Sequence, residues 1–373
     1  MKKKLVLCGN GGLFRYVNEK LQEDGNVEII CTIEDVNQLS AEKSVKTADA
    51  VVLAVSWREA EKWIVRIREY NSGEIYRVPV YAMQYQLPII RNGHFLLDHV
   101  VKISVNDTNL LYLETHVADT CNLKCKGCMH FSNIATEANF PDLEDFGRDF
   151  ARLSELFDNI FIIRLMGGEP LLNPRLNEYI RIVRHYFPPA EIRIVSNALL
   201  VPHQREEIWK AMRDNHVGMD ISPYPPTMQN IDEIRGILGR EGIPYGSISD
   251  TLQKFRKSLT LTPTHDPAET VQICQSSHCH FLRKGKIAKC PLPLLIGDFN
   301  QAFQCDIRSN DYYDIYEEQS GDELSRKLEQ YADMCRYCPD KEAFSHGETF
   351  IPWERTNNDA QQKDWVVKEW IPS

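Results

Sequence analysis

No stretch of the 373 residues approaches the roughly 20 consecutive apolar residues that a bilayer-spanning helix needs. The opening MKKKLVLCGNGG is basic and then apolar, but an apolar core of about five residues is too short for a secretory signal. A cytoplasmic location without membrane contact is expected. Positive charge is also scarce. The 43 Lys and Arg stand against 53 Asp and Glu, a formal net charge of −10, which leaves no broad basic face for nucleic acid. There is no internal repeat, which argues against a solenoid. The cysteine count, 11, is odd and comes without an export signal, so a disulfide framework is disfavoured and metal binding favoured. With 43% apolar and 26% charged residues, the chain can bury a large core in two or three domains.

The first region spans residues 1–108. Apolar runs KLVLCG (4–9), VEIICTI (27–33), ADAVVLAVS (48–56) and VPVYAM alternate with helical stretches such as WREAEKWIVRIREYN (57–71). That alternation predicts a small Rossmann-like α/β domain, with VPVYAM as its last strand. Gly9, Gly11 and Gly12 open its first helix, where a nucleotide phosphate could sit. The full G-x-G-x-x-G is missing: position 14 is Phe14, and Glu34 offers only a faint ribose contact. A fold that has lost nucleotide binding is therefore the favoured reading.

Residues 109–265 repeat strand and helix. Strands are expected at NLLYLETHVA (109–118), FIIRLMGGEP (161–170), EIRIVSNA (191–198) and VGMDISPYP (217–225), with amphipathic helices between them. Such a series implies a parallel sheet, curled into a partial (β/α) barrel, with ligands at the C-terminal strand ends. Four features fall at those ends: the cysteine loop, GGEP (167–170), Ser196-Asn197 and Ser222. The loop carries Cys121, Cys125 and Cys128 in the spacing Cys-x3-Cys-x2-Cys. A structural zinc or an electron-carrying iron-sulfur cluster wants four protein ligands. Three leave an iron open for chemistry, or call for a remote fourth ligand.

This constellation resembles the radical S-adenosylmethionine (SAM) superfamily. The resemblance implies that Cys121, Cys125 and Cys128 hold a [4Fe-4S] cluster and that SAM occupies its open iron. It implies that Gly167, Gly168 and Glu169 meet the SAM amino group, and that Ser196, Asn197 and, more weakly, Ser222 contact its ribose and carboxylate. The family's radical is 5′-deoxyadenosyl, which abstracts a substrate hydrogen. Two departures stand out. Many members carry an aromatic residue where this chain has Gly127, so adenine packing falls to Met129, His130 or Phe131. Ala198 stands where many have glycine.

Residues 266–345 add Cys274, Gly285, Cys290, Cys335 and Cys338. Cys-x10-Gly-x4-Cys followed by Cys-x-x-Cys resembles the twitch domain, a shorter relative of the SPASM domain, and implies an auxiliary [4Fe-4S] cluster on those four cysteines. Cys279 competes with Cys274 as first ligand, and zinc is the alternative occupant. Cys8 and Cys31 are expected in strand cores. Cys279 and Cys305 are buried thiols or hydrogen-atom donors. Arg283, Lys284, Lys286 and Lys289 suggest a solvated hairpin or a contact for an anionic substrate. The tail 346–373, with Trp353, Trp365 and Trp370, is expected to pack back onto the body.

Twitch-bearing relatives include dehydrogenases of amino sugars and cyclitols. The resemblance thus implies a radical SAM oxidoreductase acting on a sugar or sugar nucleotide, with the auxiliary cluster taking the second electron and a flavodoxin or ferredoxin as external donor. An epimerase using a cysteine donor, a peptide-modifying maturase and a non-enzymatic iron-sulfur protein are the alternatives.

Overall fold

The computed structural model describes residues 2–40, 43–135, 140–246, 248, 250–346, 349–357 and 359–367. Its first sheet contains β1 (Lys3–Gly9), β2 (Val27–Ile33), β3 (Ala50–Ala54) and β4 (Glu74–Arg77). A two-stranded hairpin, β5 (Ile90–Arg91) and β6 (His94–Phe95), precedes β7 (Val101–Ile103). The order is β2-β1-β3-β4-β7, parallel except at β7. Alternation along β1 divides the core between the two faces. Leu5 and Leu7 pack under the helix Gly11–Glu23, and Val6 and Cys8 under the helix Trp57–Arg68. Gly9 lies where the strand order reverses between β1 and β3. Its φ is +131°, and a Cβ there would stand 2.3 Å from the Ala54 carbonyl oxygen.

VPVYAM is not a strand. The place beside β3 belongs to Glu74–Arg77, with β7 at the edge, and Val80–Gln84 forms a short helix behind Pro79. Proline cannot donate to a ladder, and its fixed φ suits a helix start. Glu34 uses its backbone oxygen to accept from the Asn10 side chain at 3.5 Å.

The second sheet starts with four parallel strands: β8 (Asn109–Ala118), β9 (Asn159–Gly167), β10 (Glu191–Ser196) and β11 (Gly218–Ile221). Beyond β12 (Lys254–Arg256) come β13 (Phe281–Arg283), β14 (Lys286–Ala288) and β15 (Tyr312–Asp314). The order β11-β10-β9-β8-β13-β14-β15 is an open sheet, with β13 parallel to β8 and the β13–β14–β15 meander antiparallel. The strands around the second cysteine set therefore extend the core sheet. Helices Leu143–Leu156, Leu176–Tyr186, Glu206–Asp214 and Ile231–Arg240 bury their apolar stripes in one continuous core with it. Asp142 caps the first of these, accepting from the amides of Glu144 and Asp145. The two sheets meet where the Arg77 guanidinium lies 4.9 Å from the Phe161 ring and Trp57 packs on Tyr112 at 4.8 Å.

The basic stretch 283–289 does form a hairpin, turning through Lys284 (φ +49°) and Gly285 (φ +72°). Half of it is not solvated. Lys289 is buried and donates to the carbonyls of Leu328 and Glu329 at the C-terminal end of the helix Gly321–Glu329. Arg283 is turned inward to Asp119. Among the described residues no helix is long and apolar enough to cross a membrane.

The chain's last described segment returns to the sheet ends. β16 (Phe350–Pro352) pairs antiparallel with β12. Trp365 is fully buried among Phe131, Leu259, Phe299 and their neighbours. Trp370 lies outside the described residues.

Candidate functional site

The long strand β8 ends at Ala118 and releases the chain into the cysteine loop. Cys121, Cys125 and Cys128 come together there, near enough for Cys128 to raise the pKa of both others and Cys121 that of Cys125. Burial is the larger cause: it pushes Cys121 up to about 11 and Cys125 to about 12, and raises Cys128. Three thiolates packed together out of water need a cationic partner. The amides of His130, Phe131 and Ser132 turn toward the Cys128 sulfur and that of Leu123 toward Cys121. Among the described residues no three His, Cys, Asp or Glu side chains grip one common ion point. An iron-sulfur cluster binds each thiolate on a different iron, so its ligands stand further apart. The donor set fits a cluster.

The GGEP turn ends β9 beside this loop. Gly168 donates to the Ala118 carbonyl at 2.7 Å and Glu169 to that of Thr120 at 2.9 Å. A Cβ on Gly167 would meet the Ala118 oxygen at 1.9 Å, and one on Gly168 the Thr120 oxygen at 2.1 Å. Only glycine lets the two chain segments lie so close. The Glu169 side chain is fully buried. It accepts from the Leu171 amide (3.0 Å), the Ser196 hydroxyl (2.7 Å) and the Asn197 amide (2.9 Å), while burial pushes it up to about 7. In this conformation Glu169 braces the ends of β9 and β10, and the glycine backbone is what remains to meet an ammonium.

Asn197 donates to the Asn122 side chain at 2.7 Å and lies 3.9 Å from the Cys121 sulfur. Ser222 sits one strand further on, its amide on the Ser196 carbonyl at 2.9 Å. Tyr224, two residues later, lies near all three thiols, and burial with those thiols raises its pKa. Its ring stacks on Trp353, whose indole N–H donates to the Cys125 sulfur at 3.2 Å. Trp353 belongs to the tail expected to pack back onto the body, but its place beside Cys125 carried no signal in the sequence, and Tyr224 carried none at all.

The three residues offered for adenine packing point elsewhere. Met129 lines the cavity of the second cysteine set. Phe131 is buried with φ +52° against Phe299 and Trp365. His130 meets His116, ring nitrogen to ring nitrogen, at 2.9 Å, and burial drives it down to about 3. His116, lowered by burial, contacts Asp119 at 2.7 Å, and Arg283 closes on Asp119 with two nitrogens. Burial opposes ionisation of Asp119, yet hydrogen bonds from His116 and Arg283 hold it below the usual carboxylate range.

This His130–His116–Asp119–Arg283 chain borders a cavity of about 490 Å³. His116, Asp119, Arg283, Asp145, Asp149 and Tyr316 are among its lining residues. A second cavity of about 610 Å³ adjoins it through Asp119, Arg283 and Lys284 and reaches Lys286 and Tyr312.

Cys274, Cys290, Cys335 and Cys338 all line one further cavity. Burial raises Cys290, Cys335 and Cys338, and the set couples through mutual charge. Four inward thiols around one space also fit an iron-sulfur cluster. Cys279 is not among the lining residues. It packs against Tyr112 and Glu114, and burial pushes it to about 12. Cys305 receives a hydrogen bond from Gln362 at 3.1 Å. Neither borders the two cavities near Asp119. Cys8 is buried in the first sheet and Cys31 half-buried.

Residues 115–260 match the family model described as Radical SAM superfamily. A GTP 3′,8-cyclase of Sulfurovum sp. (strain NBC37-1) is 31% identical over 104 residues, covering 27% of this chain and 31% of the cyclase. A GTP 3′,8-cyclase of Helicobacter pylori is 30% identical over 105 residues, again 31% of its length. The chain thus spans about a third of the curated relatives it matches. The crystal structure of BtrN in complex with AdoMet and 2-DOIA is 15% identical and covers 64% of this chain and 95% of BtrN, with TM-score 0.38. That of Streptococcus suis SuiB bound to precursor peptide SuiA is 12% identical over 37% of this chain and 32% of SuiB, with TM-score 0.29. Both superpositions are too loose to bear on the chemistry.

Proposed function

We propose that this chain, a radical SAM protein through its domain at residues 115–260, oxidises an alcohol carbon of a carbohydrate or sugar nucleotide. A radical SAM domain implies catalysis with SAM and one [4Fe-4S] cluster, and on this reading Cys121, Cys125 and Cys128 hold it. Bound together there, SAM and a reduced cluster would supply the radical chemistry that removes a carbon-bound hydrogen. On this reading Gly167, Gly168, Ser196, Asn197 and Ser222 would contact SAM. The polar walls of the cavity at Asp119 suit a hydroxyl-rich substrate, and the His116–Asp119 pair is placed to carry away its hydroxyl proton. Loss of one hydrogen atom and one proton leaves one electron to be accepted.

The observation that carries oxidation is the second thiol set. Cys274, Cys290, Cys335 and Cys338 line a single cavity, which Met129, the residue after Cys128, also lines. A cluster held there could take that electron. The positions of Cys279 and Cys305 away from the two substrate-sized cavities favour oxidation over epimerisation. We place the activity in the cytoplasm, with a flavodoxin or ferredoxin as donor, and read the chain as a Rossmann-like unit (1–108), a radical SAM unit (109–265), a twitch-like unit (266–345) and a tail.

One second reading has specific support. The relatives named GTP 3′,8-cyclase suggest ring formation on a nucleotide, although the similarity covers little beyond the radical SAM region. Incubation of reduced, iron-loaded protein with SAM and either sugar nucleotides or GTP tests both. Oxidation lowers the substrate mass by two units, epimerisation leaves it unchanged in ordinary water, and consumption of GTP alone would sink the carbohydrate reading.

A further inference from the structure

The tail does more than return to the body: it crosses the cysteine loop. Lys126 donates its amide to Glu354, and Thr356 donates to Lys124, both as backbone ladder bonds of 2.9 and 2.8 Å. Cys125 and Arg355 face each other as an antiparallel bridge. Arg355 donates to the carbonyls of Asn122 (2.8 Å) and Leu123 (3.3 Å), and the Trp365 indole donates to the Cys128 carbonyl at 2.8 Å. The loop residue that would obstruct this crossing has no side chain. A Cβ on Gly127 would stand 2.8 Å from the Asp364 carbonyl oxygen and 3.1 Å from Ile351 Cγ2. The aromatic residue that many radical SAM proteins carry at this position has no room here.

Within the crossing, one contact reaches a sulfur. Trp353 Nε1 lies 3.2 Å from Cys125 Sγ, and its ring is held by Tyr224 with centroids 6.2 Å apart and planes 20° apart. We propose that Trp353 is a positioning residue for the iron-sulfur centre: its indole N–H donates to the Cys125 thiolate and raises the reduction potential of the cluster bound there. The physical reason is charge. Reduction adds an electron to the cluster, a hydrogen-bond donor to a ligating sulfur stabilises that added charge, and the overlying chain keeps water from competing. The inference rests on the assignment of Cys125 as a cluster ligand.

The test uses the anaerobic, iron-loaded, full chain and an EPR-monitored redox titration with dithionite. The cluster signal that shifts on adding SAM identifies the centre. Trp353→Phe keeps an aromatic ring against Tyr224 and removes the N–H. Its cluster should be about tenfold harder to reduce, a fall of about 59 mV for one electron. Glu354→Gln breaks only the rim ion pair with Lys126 and should keep the wild-type potential. A Trp353→Phe potential at or above wild type overturns the proposal. If that variant fails to hold iron, 15N-indole tryptophan in Trp365→Phe protein decides: with the indole on the Cys128 carbonyl removed, a 15N hyperfine coupling to the reduced cluster supports the Trp353 hydrogen bond, and its absence refutes it. A wild-type chain whose iron gives no SAM-responsive signal fails the cluster assignment instead, so the two failures are distinct.

Discussion

Replacing Glu169 by glutamine separates its role as a brace from a role as a charge. The carboxyl is fully buried, accepts from Leu171, Ser196 and Asn197, and is pushed up to about 7 from 4.5, first by burial and against the pull of those hydrogen bonds. A folded pKa above the unfolded value means that protonation favours the fold. The stabilisation is therefore complete below pH 4.5 and is lost as pH rises through 7. A shift of roughly 2.5 units corresponds to about 3 kcal/mol, of which about 2 kcal/mol falls between pH 5.5 and pH 8. Glutamine does not titrate. Its amide can still accept once but must turn its N–H2 toward one of the donors, a mismatch of about 1–3 kcal/mol. Glu169→Gln should thus be clearly less stable than wild type at pH 5.5, and the deficit should shrink toward pH 8. Anaerobic urea unfolding of both proteins at the two pH values measures this, because other titrations cancel in the difference. A deficit that is constant or grows with pH would show that Glu169 is not held neutral by burial, and the reasoning would fail.

Three further outcomes are expected. Reconstituted protein should hold about eight irons from two four-iron clusters; Cys121→Ala/Cys125→Ala/Cys128→Ala should keep about four and lose SAM cleavage, whereas Cys335→Ala/Cys338→Ala should cleave SAM while product falls sharply. Iron analysis and product assay check both, and normal SAM cleavage by the triple variant would contradict the ligand assignment. Cys279→Ala and Cys305→Ala should each retain turnover, with stability losses of about 1–3 kcal/mol from packing; uncoupled SAM cleavage in either, with both clusters intact, would move the reaction to epimerisation. Gly127→Ala forces a side chain onto φ +68° and toward the Asp364 carbonyl, so it should loosen the tail from the loop and speed iron loss in air at least several-fold; unchanged iron loss would mean that the tail does not shield the loop.

What the sequence made legible was short-range. NLLYLETHVA reads as a strand from a short, largely apolar run, and the three cysteines follow it directly in the chain. The GGEP turn and Ser196-Asn197 stand at strand ends for the same reason. The misreadings arose where a distant partner decides a residue's environment. Lys289 reads as a surface cation until the carbonyl end of the helix Gly321–Glu329 is packed against it. Glu169, which the resemblance gives to an ammonium, also takes hydrogen bonds from Ser196 and Asn197 at the end of the next strand, contacts no local pattern announces.

The tail shows this dependence most fully. Trp353 lies 228 positions from Cys125, and no local pattern announces an indole that donates to a thiolate. Gly127, in contrast, was visible as a departure from the family's usual aromatic, but without a cause. The cause is the tail itself: the space an aromatic would fill is taken by Ile351 and the Asp364 carbonyl. A departure at one position and an unexplained tail far along the chain are thus two sides of one contact. An enclosing wall that a side chain on the loop could build is built here from residues 349–367. That arrangement makes the environment of Cys125 depend on whether the tail is docked, because the N–H of Trp353 reaches the sulfur only while the backbone ladder between Lys124–Lys126 and Glu354–Thr356 is intact.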